Sequence, residues 1–107
     1  MFSYTVDKLG DNVTIFFNGD LDIEVSEIME EEIMPALGKP QKIEFDFAGV
    51  PFVDSTGIGL LINAVEILKK NREDVQIKIK DIQPLVKEVF EMLQLQEILG
   101  DKVRLLG

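Results

Sequence analysis

The chain has 107 residues, 20 acidic against 11 basic, for a formal charge of −9 at pH 7, and it contains neither cysteine nor histidine. Those two absences remove disulfides, thiolate metal sites, cysteine nucleophiles and the commonest general base, so no cofactor or metal is expected. The acidic balance argues against nucleic acid and anionic membranes as partners, and for a protein with a basic patch or a small ligand.

Phe2, Tyr4 and Val6 alternate with Ser3, Thr5 and Asp7, the period of a half-buried strand rather than a secretory signal. Turn residues follow at Leu9-Gly10-Asp11-Asn12, and Val13, Ile15 and Phe17 then alternate again, predicting an antiparallel hairpin that ends at Gly19-Asp20-Leu21-Asp22. From Ser26 the period becomes helical: Met29, Ile33 and Ala36-Leu37 oppose Glu27, Glu30 and Glu31, and Gly38 and Pro40 stop the run. Ile43, Phe45 and Phe47 mark a third strand with Glu44 and Asp46 facing outward. After a short connection, Ser55 opens a long helix that ends near Asn71. Val75, Ile77 and Ile79 form a fourth strand. Asp81 and Pro84 then start a helix whose expected buried stripe is Leu85, Val89 and Leu93. A short strand at Val103 to Leu105 closes the chain. No apolar run approaches the roughly 20 residues that span a bilayer, and a cytoplasmic setting is expected. The elements compose one expected domain, residues 1–107, of ordinary size.

This order predicts an α/β fold with a mixed, largely parallel sheet of four to five strands. Parallel strands covered on both faces read as continuous apolar runs, whereas these alternate, so helices should cover mainly one face. Right-handed crossovers achieve that when strands are laid down in the spatial order 1-2-3-4-5. Phe16 then falls on the open face, where it is the residue least well explained.

Ligands and switches of parallel sheets gather beyond the carboxyl ends of the strands. Asp20 and Asp22 follow strand two, Asp54 and Ser55 follow strand three, and neighbouring strands would place all four on one edge. A serine at a helix start can cap the first turn, and the same place favours a phosphate. Without the context of a family, Asp54 or Ser55 reads more readily as a plain helix cap, and Asp20 and Asp22 as turn residues. Gly57 and Gly59 each cost about 1 kcal/mol in a helix relative to alanine. Close approach of another backbone, of a docking partner, or tight packing on the sheet would compensate. The Ser55 helix also carries a second apolar stripe, Leu60, Ala64 and Ile67, readable as contact with other helices or as a docking surface.

The run Phe45-Asp46-Phe47-Ala48-Gly49-Val50-Pro51-Phe52-Val53-Asp54-Ser55-Thr56-Gly57-Ile58-Gly59-Leu60-Leu61 resembles the central signature of STAS domains: an apolar strand, an Asp-Ser-[Ser/Thr]-Gly junction and an apolar helix. Gly19-Asp20-Leu21-Asp22 is similar to that family's Gly-[Glu/Asp]-Leu-Asp step. The resemblance is to the anti-sigma factor antagonist branch and covers nearly the whole chain. It implies that Ser55 is a phosphoacceptor, with Asp20, Asp22, Asp54, Thr56 and Gly57 lining the switch site and Ile23, Ile58, Gly59 and Leu60 forming the docking surface. The implied partners are an anti-sigma factor serine kinase, bound by the unphosphorylated form, and a serine phosphatase that reverses the modification. Where the family's last helix ends near Thr-Gly-Leu, this chain has Met92-Leu93-Gln94-Leu95. Competing readings are a nucleotide or anion site at the same edge, a metal-assisted hydrolase built on Asp20, Asp22 and Asp54, and a module of a larger stress-signalling assembly.

Overall fold

A computed structural model describes all residues, Met1–Gly107. Strands β1 (Ser3–Leu9), β2 (Asn12–Asn18), β3 (Lys42–Gly49), β4 (Gln76–Lys80) and β5 (Val103–Leu105) form one sheet in the order β1-β2-β3-β4-β5. β1 pairs antiparallel with β2 and the remaining neighbours are parallel, as the alternation and crossover arguments require. The helices are α1 (residues 23–37), α2 (Ser55–Asn71), α3 (Pro84–Met92) and α4 (Leu95–Leu99).

All four helices pack on the same side of the sheet. Val13, Ile15, Phe17, Ile43, Phe45, Phe47, Ile77, Ile79 and Val103 face them and are buried in one core. Phe17 sits at the centre, with ring centroids 5.4 to 5.8 Å from Phe2, Phe45 and Phe47. The other side of the sheet is open to solvent, and Phe16 lies there, 40% exposed, in register with Asp46. Asp46 is itself buried and accepts a hydrogen bond from the Ala48 amide at 2.9 Å.

Three expectations need correction. The first helix starts at Ile23 rather than Ser26: it opens with a 3-10 turn and carries a π segment at Met29–Ile33. The core residues of α3 are Val86 and Phe90, whereas Leu85 and Leu93 are 57% and 47% exposed. Phe90 is the reason, because its ring meets Phe47 at 6.1 Å and so sets the rotation of the helix. Finally, the segment after Met92 forms a separate helix, α4, because Gln94 adopts a left-handed conformation (φ 52°) that breaks the run.

Candidate functional site

Beyond the carboxyl ends of β2 and β3, the loops 19–22 and 50–54 are joined by main-chain hydrogen bonds. The Gly19 amide donates to the Gly49 carbonyl at 2.8 Å, and the Leu21 amide to Phe52 at 3.0 Å. The Asp54 amide donates in turn to the Leu21 carbonyl at 3.3 Å. Leu21 and Val53 thus form a one-residue parallel bridge, with both side chains buried beneath it. These bonds bring Asp20, Asp22, Asp54 and Ser55 to one edge, as the order of strands implies.

The helix start is built by Asp54, not by Ser55. Asp54 has extended backbone (φ −98°, ψ −178°), and its Oδ1 accepts from the Gly57 amide at 2.7 Å. Its carbonyl accepts the first helical bond, from the Ile58 amide at 2.9 Å. Ser55 is therefore the first helical residue, exposed, with its hydroxyl outside the cap. Of the early amides, which have no partner within a helix, those of Ser55 and Thr56 remain unclaimed by Asp54. Together with the helix dipole they give this acidic edge a local place for an anion.

Gly57 is required by geometry. A Cβ there would stand 1.9 Å from the Leu21 carbonyl oxygen, so the bridge that couples the loops needs the missing side chain. Gly59 differs: nothing lies within 4 Å of a Cβ built on it, and it is exposed. Asp22 is also occupied structurally, accepting from the Glu24 amide at 3.0 Å to cap the start of α1. Asp20 is exposed. No group of three carboxylates on the chain is arranged to hold a metal ion, and Asp22 and Asp54 are already spent on caps.

Around Ser55 the exposed apolar residues are Ile23 (66%) and Phe52 (46%), with Leu60 half-buried. Ile58 does not belong with them: at 5% exposure it is a core residue, because the stripe Ile58, Leu61, Val65 and Leu68 faces the sheet. Phe52 was missed from sequence. The signal was an aromatic residue in a short polar-edged loop, which reads equally well as core. Leu21 was missed for another reason, since its part is played by backbone atoms that every residue has.

A one-sided, five-stranded sheet with an exposed serine at the first turn of its central helix defines a small α/β module of the STAS type. The STAS domain profile matches residues 3–105, and the chain belongs to that family. It is 18% identical over 88 residues to the anti-sigma-B factor antagonist of Bacillus subtilis (strain 168), spanning 82% of this chain and 79% of that protein. The unphosphorylated form of the anti-sigma factor antagonist SpoIIAA superposes with a TM-score of 0.65 at 22% identity, over 84% of this chain and 83% of that one. The phosphorylated form from Bacillus gives 0.60 at 18%, over 96% and 90%. The fold is not confined to antagonists. A sulfate transporter family protein from Wolinella succinogenes matches with a TM-score of 0.72 at 16% identity, over 90% of this chain and 78% of that one.

Proposed function

We propose that this chain is an anti-sigma factor antagonist, not itself an enzyme, that acts in the cytoplasm as a phospho-switch. It binds an anti-sigma serine kinase while Ser55 is unmodified. Transfer of the γ-phosphoryl group of ATP to Ser55 Oγ, with loss of the hydroxyl proton and departure of ADP, ends the binding. A serine phosphatase restores it by hydrolysis. The observation that carries this reading is Ser55 itself: the residue is exposed at a helix start, and the capping duty it could have had belongs to Asp54.

The chemistry follows from charge. A phosphoserine adds about −1.5 to −2 at pH 7. The unclaimed amides of Ser55 and Thr56 offset part of that locally, so the fold tolerates the group. A partner seated on Ile23, Phe52, Gly59 and Leu60 would have to desolvate the same dianion beside Asp20 and Asp54. Moving an equilibrium from 1:99 to 99:1 takes about 5.5 kcal/mol, within reach of lost contacts and desolvation together.

Incubation with the anti-sigma kinases of its own organism and ATP, followed by intact mass and peptide mapping, tests the proposal. One phosphate on Ser55 is expected, absent in Ser55→Ala, with Ser55→Ala retaining kinase binding and phosphorylated protein losing it. Kinase binding that survives phosphorylation would reject the switch, and phosphate on Thr56 alone would move the site by one residue. The alternative reading, a module of a larger stress-signalling assembly, predicts no kinase binding and no phosphate in the same experiment.

A further inference from the structure

Although the chain as a whole is strongly acidic, a small basic excess gathers on the open side of the sheet where β3, β4 and β5 begin. The strand registers set Lys42 beside Gln76, Glu44 beside Lys78, and Lys78 beside Arg104. A groove of about 710 Å³ lies at the amino ends of β3, β4 and β5, lined in part by Lys42, Lys78, Lys102 and Arg104. Two of its three acidic lining residues are engaged: Glu44 lies 3.6 Å from Lys80, and Asp74 lies 3.2 Å from Arg72. The third, Asp101, forms no ion pair. Lys78 and Arg104 therefore face each other across neighbouring strands with no carboxylate bridged to either. Like charges placed directly opposite in a sheet are destabilising.

Helix α1 has the converse imbalance. Val25, Met29, Ile33 and Leu37 fill its side toward the sheet. Glu24, Glu27, Glu30 and Glu31 are exposed at three- and four-residue spacings, where like charges repel. No lysine or arginine occurs between residues 20 and 38 to offset them. The two patches lie on opposite sides of the sheet, α1 among the helices and the groove on the open side, so neither pairs with the other within one molecule.

We propose that a second copy of this chain fills the role: its acidic α1 docks in the groove on the open side of the sheet, with Lys78 and Arg104 at the contact. Each patch finds the opposite charge that its own molecule holds out of reach. The contact joins two different surfaces, so it propagates head to tail rather than closing into a two-fold pair. It stands apart from the reading of Ser55, because the groove lies at the amino ends of the strands and Ser55 beyond their carboxyl ends.

Sedimentation velocity over micromolar to submillimolar protein, at about 20 mM and about 500 mM NaCl, tests this. The weight-average coefficient of the wild type should rise with concentration at low salt and stay at the monomer value at high salt, a loss of at least about tenfold in association constant. The variants K78E/R104E and E27K/E31K should each remain monomeric at low salt. Their equimolar mixture should associate again, since each reversed patch then meets its reversed counterpart, and this recovery also shows that both variants fold. A wild-type coefficient independent of concentration at low salt overturns the proposal, as does a mixture that stays monomeric while both variants keep native circular dichroism. Binding of a polyglutamate peptide without self-association would give the groove to a foreign acidic segment and likewise reject the second copy.

Discussion

At the scale of single residues, Gly57 and Gly59 look alike in sequence and behave oppositely in the structure. A methyl group on Gly57 collides with the Leu21 carbonyl, whereas one on Gly59 meets open space. Gly57→Ala should destabilise the protein by about 3 kcal/mol, the upper range for overpacking. Gly59→Ala should stabilise it by about 0.5–1 kcal/mol through helix propensity. Urea unfolding of the two variants measures both, and equal effects would contradict the geometry. Tyr4 offers a second test. Its hydroxyl donates to Glu32 Oε1 at 2.9 Å, and this bond, followed by loss of water and the carboxylate's charge, raises the phenol above the ordinary 10.0. The bond favours the protonated phenol, so its contribution is complete below about pH 10 and is lost as pH rises through the raised folded value. Tyr4 is the only tyrosine and tryptophan is absent, so ultraviolet absorbance follows this one group. The midpoint should lie above 10.0 in the wild type and fall toward it in Glu32→Ala.

At the scale of elements, legibility depended on whether the pattern offered one solution or two. The strands read clearly because an open face demands strict alternation, and Ile43-Glu44-Phe45 or Ile77-Lys78-Ile79 has a single phase. The helix α3 offered two stripes, Leu85, Val89 and Leu93 or Val86 and Phe90. Only the aromatic contact between Phe90 and Phe47 decides between them, and nothing local announces that contact. The break before α4 was hidden for a related reason: a left-handed residue usually declares itself as glycine or asparagine, and here it is Gln94. Gln94→Gly should therefore stabilise the chain by about 0.5–1 kcal/mol, the relief of left-handed strain exceeding the added entropy of the unfolded chain. Thermal unfolding would show an upward shift, and a downward one would mean that the Gln94 side chain contributes more than its backbone costs. The candidate site was legible in part. Asp54 and Ser55 were readable as a helix start, but their division of labour rests on one dihedral angle and one hydrogen bond.

At the scale of the molecule, the strand order followed from alternation and handedness together, without reference to any single side chain. The same architecture bears on the proposed switch. Ser55 projects from a helix whose first turn is secured by Asp54 and whose body is packed through Leu61, Val65 and Leu68. Phosphorylation should accordingly leave the backbone in place. Amide chemical shifts in the phosphorylated protein should change at residues 19–24 and 52–60 and remain within noise across β4, α3 and β5. Widespread shifts or a refolded α2 would contradict the local mechanism.

The Leu21–Val53 bridge carries one further implication, for how such a chain can diverge. Because each loop is measured against the other, an inserted or deleted residue in 19–22 would slide Leu21 out of register with both Phe52 and Asp54. Length variation among descendants of this sequence should therefore avoid these paired loops, which keep a fixed count.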